Sequence, residues 1–244
     1  MRIVFMGTPD FSVPTLKALV EAGHDVAAVV TQPDKPKGRG KEMQMTPVKV
    51  QALEYKIPVY QPAKVRDQAF IQVLREMDAD VFVVIAFGQI LPKDVLELPR
   101  YGCVNIHASL LPKYRGAAPI QWCVIDGEKE TGITTMMMDV GLDTGDMLEK
   151  VVIPIGDKET GGSLHDKLSL AGGSLILSTL RKMCIRDRDR RVRYLEMTEQ
   201  GMELYQGLLG RVEQFKEDAI KGIDEEKLEV FKEVLGQMLN NTEH

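Results

Sequence analysis

Cysteine is scarce: Cys103, Cys123 and Cys184 are the three in 244 residues. Their odd number and the absence of any CxxC or Cys/His metal spacing argue against a disulfide framework and a zinc site. No metal is expected, and a reducing, cytoplasmic setting fits best. Long apolar runs are missing too, so no stretch of about 18 residues can cross a bilayer as a helix. The apolar start, Met1 to Met6, breaks at Gly7-Thr8-Pro9 and is too short for an export signal. Positive charge is not in excess: 31 Lys and Arg stand against 36 Asp and Glu, a net charge of -5, so any polyanion must be met by a local patch. The three spaced glycines of a dinucleotide fingerprint are also wanting, because Gly7-Thr8-Pro9-Asp10 follows the first apolar run alone.

What is present is alternation. The apolar run Ile3 to Met6 predicts a strand, followed by a helix with Ser12 as cap and Pro14 in its first turn. Strands are predicted again at Val26 to Thr31, Asp80 to Ala86, Cys103 to His107, Gly132 to Met138 and Met147 to Ile155. Helical stretches fall at Pro47 to Lys56, Asp67 to Met77, Pro119 to Ile125 and Thr160 to Leu180. This is an α/β pattern: a doubly wound, mostly parallel sheet of six or seven strands, covered on both faces.

Two features carry chemistry. Gln32 to Lys41 is a polar connection with two prolines, two glycines and the four cations Lys35, Lys37, Arg39 and Lys41. It reads either as a solvated surface loop or as a mobile basic arm that meets phosphates. Asn105 and His107 lie two apart at a strand end and so share a face. Asp143, in the turn Gly141-Leu142-Asp143-Thr144-Gly145-Asp146, supplies the carboxylate an imidazole needs to hold a proton. Together they can assist acyl transfer with the acceptor substrate as nucleophile. Asn105 donates to a carbonyl oxygen gaining charge, His107 adds a donor and shuttles a proton, and Asp143 holds or receives charge.

These stretches resemble a known family. Val4 to Phe11, Gln32 to Lys41, Ala86 to Pro92, Asn105 to Gln121 and Gly141 to Asp146 make residues 1 to about 182 similar to the amino-terminal catalytic domain of methionyl-tRNA formyltransferases. The resemblance implies a Rossmann-like formyltransferase fold. It also implies transfer of a formyl group from 10-formyltetrahydrofolate to the α-amino group of methionine on initiator tRNA, with no covalent enzyme intermediate. It assigns Asn105, His107 and Asp143 to catalysis. Phe87, Gly88, Gln89, Ile90, Leu91, Ser109, Leu110, Leu111 and Pro112 go to the folate site, and the four cations to tRNA. Other enzymes that use 10-formyltetrahydrofolate share the trio, so they remain an alternative. The segment Leu110 to Gln121 and the basic loop favour the tRNA enzyme.

The last third changes character. Cys184 to Arg193 holds five arginines and two aspartates, and Thr198 to Leu208 and Asp224 to Leu239 have the spacing of amphipathic helices. The expected organisation is therefore a catalytic domain at 1–182, a basic junction at 183–193 and a helical tail at 194–244. The family's basic carboxyl-terminal domain is not expected here. Asp189 to Gly201 resembles instead the wing strand and following helix start of MarR-type winged-helix regulators, without their recognition helix, which leaves a DNA-binding fragment as a second reading. The abrupt join at Met183 to Arg188 reads as a fusion or assembly scar. Residues 184–244 carry 10 basic and 14 acidic residues, so they contribute -4 of the chain's -5 and make a poor tRNA-holding surface. Their apolar stripes are expected to support self-association.

Overall fold

A computed structural model describes residues 1–37 and 42–188. Among them seven strands form one sheet: β1 (Arg2–Gly7), β2 (Asp25–Val30), β5 (Val59–Tyr60), β6 (Val81–Ile85), β7 (Cys103–His107), β8 (Glu130–Met137) and β9 (Met147–Pro154). They lie in the order β5-β2-β1-β6-β7-β8-β9. The first five pair in parallel, whereas β7 with β8 and β8 with β9 are antiparallel.

The continuous apolar strands have the two-sided burial that such runs require. Ile3 and Phe5 of β1 face one core with Leu16 and Leu19 of α1 (Val13–Glu21) and Leu164, Leu168 and Ile176 of α6 (Gly161–Arg188). Val4 and Met6 face the other core with Ile71 and Leu74 of α3 (Gln68–Glu76) and Phe82 and Val84 of β6. Each fully buried side chain of this size contributes about 1.5–3 kcal/mol. Helix α6 lies close on α1, since a Cβ on Gly173 would sit 3.2 Å from the Ala18 Cβ and from the Pro14 carbonyl oxygen.

Several local expectations change. Ser12 is buried and does not cap α1, because its hydroxyl donates to the Ile85 carbonyl at 2.9 Å, joining the helix start to β6. The basic connection has paired flanks: β3 (Lys35–Lys37) and β4 (Glu42–Gln44) form an antiparallel hairpin. Strand β5 and the one-turn helix α4 (Lys93–Leu96) carry too little pattern to be read in advance. Helix α2 (Pro47–Glu54) starts at Thr46, whose hydroxyl accepts the Lys49 N–H at 3.2 Å, and α5 spans Pro119–Ile125. Helix α6 continues from Gly161 beyond the predicted end at Leu180 to Arg188, inside the stretch 183–193. The expected wing, tail helices and self-association of residues 189–244 lie outside the described residues, as do Arg39 and Lys41. Among the described residues no helix is long and apolar enough to cross a membrane.

Strand order reverses at β1, which lies between β2 and β6. That is the switch point beside which an open α/β sheet leaves a crevice at its carboxyl edge.

Candidate active site

Asn105 and His107 point to one face of β7, and His107 is 7% exposed. Asp143 reaches them by a longer route. Because β8 runs against β7, with Met137 opposite Val104, the chain leaves β8 at the edge away from His107. Residues 138–146 then double back, and Asp143 takes a left-handed backbone with φ 51°. Its two carboxylate oxygens are shared out. Oδ1 accepts from Asn105 Nδ2 at 3.2 Å, Oδ2 accepts from the Gly116 N–H at 2.8 Å, and Oδ2 also lies 3.5 Å from His107 Nδ1.

The imidazole's other nitrogen decides its tautomer. His107 Nε2 is 2.8 Å from the Tyr114 carbonyl oxygen. A carbonyl oxygen only accepts, so Nε2 carries a proton and Nδ1 is the edge presented to Asp143. The 3.5 Å separation leaves that contact longer than a formed hydrogen bond.

The trio borders a cleft of about 650 Å³ whose walls include Pro9, Phe11, Phe87, Ile90, Ala118, Pro119 and Leu142. Of the residues assigned to folate, Phe87, Gly88, Gln89 and Ile90 line it. The Gln89 amide is already engaged, accepting from Val65 N at 2.8 Å and donating to the Pro62 carbonyl at 3.2 Å. Leu91 is buried in the second core. Ser109, Leu110, Leu111 and Pro112 do not line the cleft. Ser109 is buried and donates to the Lys113 carbonyl at 2.6 Å, and Thr134 donates to the Ser109 carbonyl at 2.7 Å. Leu111 is buried, its N–H bonded to Thr134 and its carbonyl to Lys150. Leu110 faces a separate hollow, and Pro112 is exposed. Ser109 and Leu111 brace the turn after β7.

The cleft wall is tied to the hairpin. Gln32 Nε2 donates to the carbonyls of Phe87 and Gly88 at 3.2 and 3.1 Å, and Thr8 Oγ1 donates to Phe87 O at 2.9 Å. Lys35 Nζ donates to Gln32 Oε1 at 2.9 Å. Lys37 is the last described residue of that arm. No sequence pattern singles out Tyr114, Gly116 or Gln32 for these roles. The first two act through backbone groups, which leave no trace in side-chain identity.

Residues 1–180 match the sequence profile of the formyl transferase family. The chain belongs to this family. The chain is 63% identical over 181 residues to the methionyl-tRNA formyltransferase of Agathobacter rectalis, covering 74% of this chain and 58% of that protein. It is 62% identical over 180 residues to that of Lachnospira eligens, covering 74% and 57%. The chain thus spans less than three fifths of the length of these relatives. Among solved structures, phosphoribosylglycinamide formyltransferase from Bacillus halodurans superposes with a TM-score of 0.63 at 23% identity, covering 75% of this chain and 95% of that one. A formyltetrahydrofolate deformylase from Pseudomonas syringae gives 0.60 at 21%, covering 74% and 60%. At such identities the likeness is one of fold, and the mostly parallel, doubly wound sheet is that fold.

Proposed function

We propose that residues 1–182 are a catalytic domain that transfers a formyl group from 10-formyltetrahydrofolate to the α-amino group of methionine on initiator tRNA. The observation that carries this reading is the meeting of Asn105, His107 and Asp143 on an apolar cleft. The relatives' name, methionyl-tRNA formyltransferase, supplies the formyl group's acceptor.

The cleft residues fit a folate. A flat heterocycle needs apolar walls, and Phe87 and Ile90 line the cleft. When bound, the folate supplies a formyl group attached to a nitrogen that can leave. Asn105 donates through Nδ2 to a carbonyl oxygen as it gains charge. The attacking amine must lose one proton and the departing nitrogen must gain one. His107 Nδ1, facing Asp143, is the edge through which that proton passes, and the carboxylate stabilises the ring while it is charged. The amine itself is the nucleophile, so no side chain needs to form a covalent bond.

Lys35, Lys37, Arg39 and Lys41 are read as the phosphate-contacting set for tRNA; Lys35 and Lys37 belong to β3, and Lys35 is linked to the cleft wall through Gln32. The cytoplasm, where charged tRNA is used, is the compartment this reading requires. Residues 183–193 are read as a junction and 194–244 as a winged-helix-like tail through which two copies associate.

The test is single-turnover formylation of methionyl initiator tRNA by the full chain with 10-formyltetrahydrofolate. Formyl-methionyl product is expected, and Asn105→Ala should lower the rate by about 10²–10³, or about 2.7–4 kcal/mol. No product from the intact chain, or an unchanged rate in the variant, would refute the reading.

A further inference from the structure

One chain of contacts leads away from the trio to the opposite side of the β7 turn. The carbonyl that accepts from His107 Nε2 belongs to Tyr114, whose φ is 57°. A bulky L-residue holds that left-handed backbone only where its surroundings over-determine it. Here the side chain does so: the Tyr114 phenol oxygen lies 2.8 Å from Asp126 Oδ2 and 2.9 Å from Glu128 Oε1. Both carboxylates sit in the turn between α5 and β8. Lys113, the preceding residue, is ion-paired with Glu128 at 3.0 Å, and Gly116, two residues on, gives its N–H to Asp143. The short segment 113–116 therefore grips two members of the trio through its backbone and is moored outward by two side chains.

We propose that Tyr114 is a positioning residue for His107: its phenol, moored to Asp126 and Glu128, fixes the carbonyl that sets the ring's tautomer and plane. The formyl-transfer reading enters only in saying what the positioned ring does.

The chemistry of the mooring suits a fixed post. A phenol has one proton to offer and both carboxylates within reach of it. Desolvation, then the two acidic neighbours, push the Tyr114 hydroxyl well above its ordinary range. Lys113 first, and the phenol second, hold the Glu128 carboxyl below its own. Leu110, Tyr114 and Glu128 face a hollow of about 250 Å³ that shares no lining residue with the cleft. Loss of the mooring should therefore slow turnover and leave substrate binding alone.

The experiment compares the intact chain with Tyr114→Phe, reading the His107 ring by nitrogen-15 NMR and separating kcat from KM in the formylation assay. The intact chain should show the Nε2–H tautomer. Tyr114→Phe should show mixed tautomers and a kcat about 10- to 100-fold lower with KM unchanged. Glu128→Gln, which keeps an acceptor, should lose less than Glu128→Ala. An unaltered ring signal in Tyr114→Phe overturns the proposal, and so does a rise in KM at constant kcat. If the intact chain forms no product yet the ring signal still moves, the formyl-transfer reading fails and the mooring stands. Should Tyr114→Phe not fold, Glu128→Ala replaces it in both measurements, and an unaltered ring signal there overturns the proposal equally.

Discussion

Gly88 illustrates how much a single backbone angle controls in this cleft. Its φ is 82°, and an added Cβ would come within 2.2 Å of Gln32 Nε2. Gln32 is the side chain that holds the carbonyls of Phe87 and Gly88, so Gly88→Ala both strains the turn and evicts its brace. The variant should cost more than about 1 kcal/mol in stability and weaken folate binding. Calorimetric unfolding and folate titration check this, and an unchanged folate affinity would mean the wall does not depend on Gln32. At this scale sequence is informative about side chains and silent about main chain. Asn105, His107 and Asp143 stand out because their functional groups are written in their identities. The Tyr114 carbonyl and the Gly116 N–H are present in any residue. Ser109 and Leu111 are assigned to the folate site by the family resemblance, and the structure shows Thr134 bonded to the backbone of both in the turn after β7.

Elements are legible where both ends carry a chemical stop. Strand β7 and α5 have the predicted bounds, closed by Gly102 before Cys103 and by Pro119 at the helix start. What sequence could not supply was direction. The run at 130–137 carries no mark of its orientation, so its antiparallel pairing, and with it the route of Asp143, is decided only by the partner strand. The hairpin of β3 and β4 is hidden for another reason: prolines and glycines disguise a ladder of three residue pairs. A further element contact yields a pH prediction. Glu149 of β9 accepts from Thr179 at 2.8 Å and Ser178 at 3.0 Å, and is ion-paired with Lys182, clamping α6 to the sheet. Burial raises the carboxyl, but these bonds outweigh it and hold it below its ordinary 4.5. A carboxyl lowered in the folded state adds stability above the unfolded value, and that stability is lost as pH falls through the folded value. Glu149→Gln should thus lower stability at neutral pH and flatten its decline below about pH 4.5, seen in urea midpoints across that range. Parallel curves for both proteins would remove Glu149 from the acid response.

Charge is arranged over the whole molecule in a way composition alone conceals. Residues 184–244 account for -4 of the net -5, while four cations are gathered in the seven positions from Lys35 to Lys41. If those cations meet tRNA phosphates, replacing Lys35, Lys37, Arg39 and Lys41 with Gln should weaken tRNA binding and flatten its dependence on salt. Folate affinity should not move in the same titrations. An unchanged salt slope would reduce the hairpin to a surface connection.

The doubling back of residues 138–146 also has a consequence in time. A ribosome releases Asn105 and His107 together, on one strand, long before the carboxylate that must join them. Asp143 follows 36 residues after His107, and the return loop is tethered at its far end only once β9 has paired with β8, beginning at Met147. A growing chain therefore carries the amide and the imidazole without their acid until the antiparallel edge of the sheet has been made.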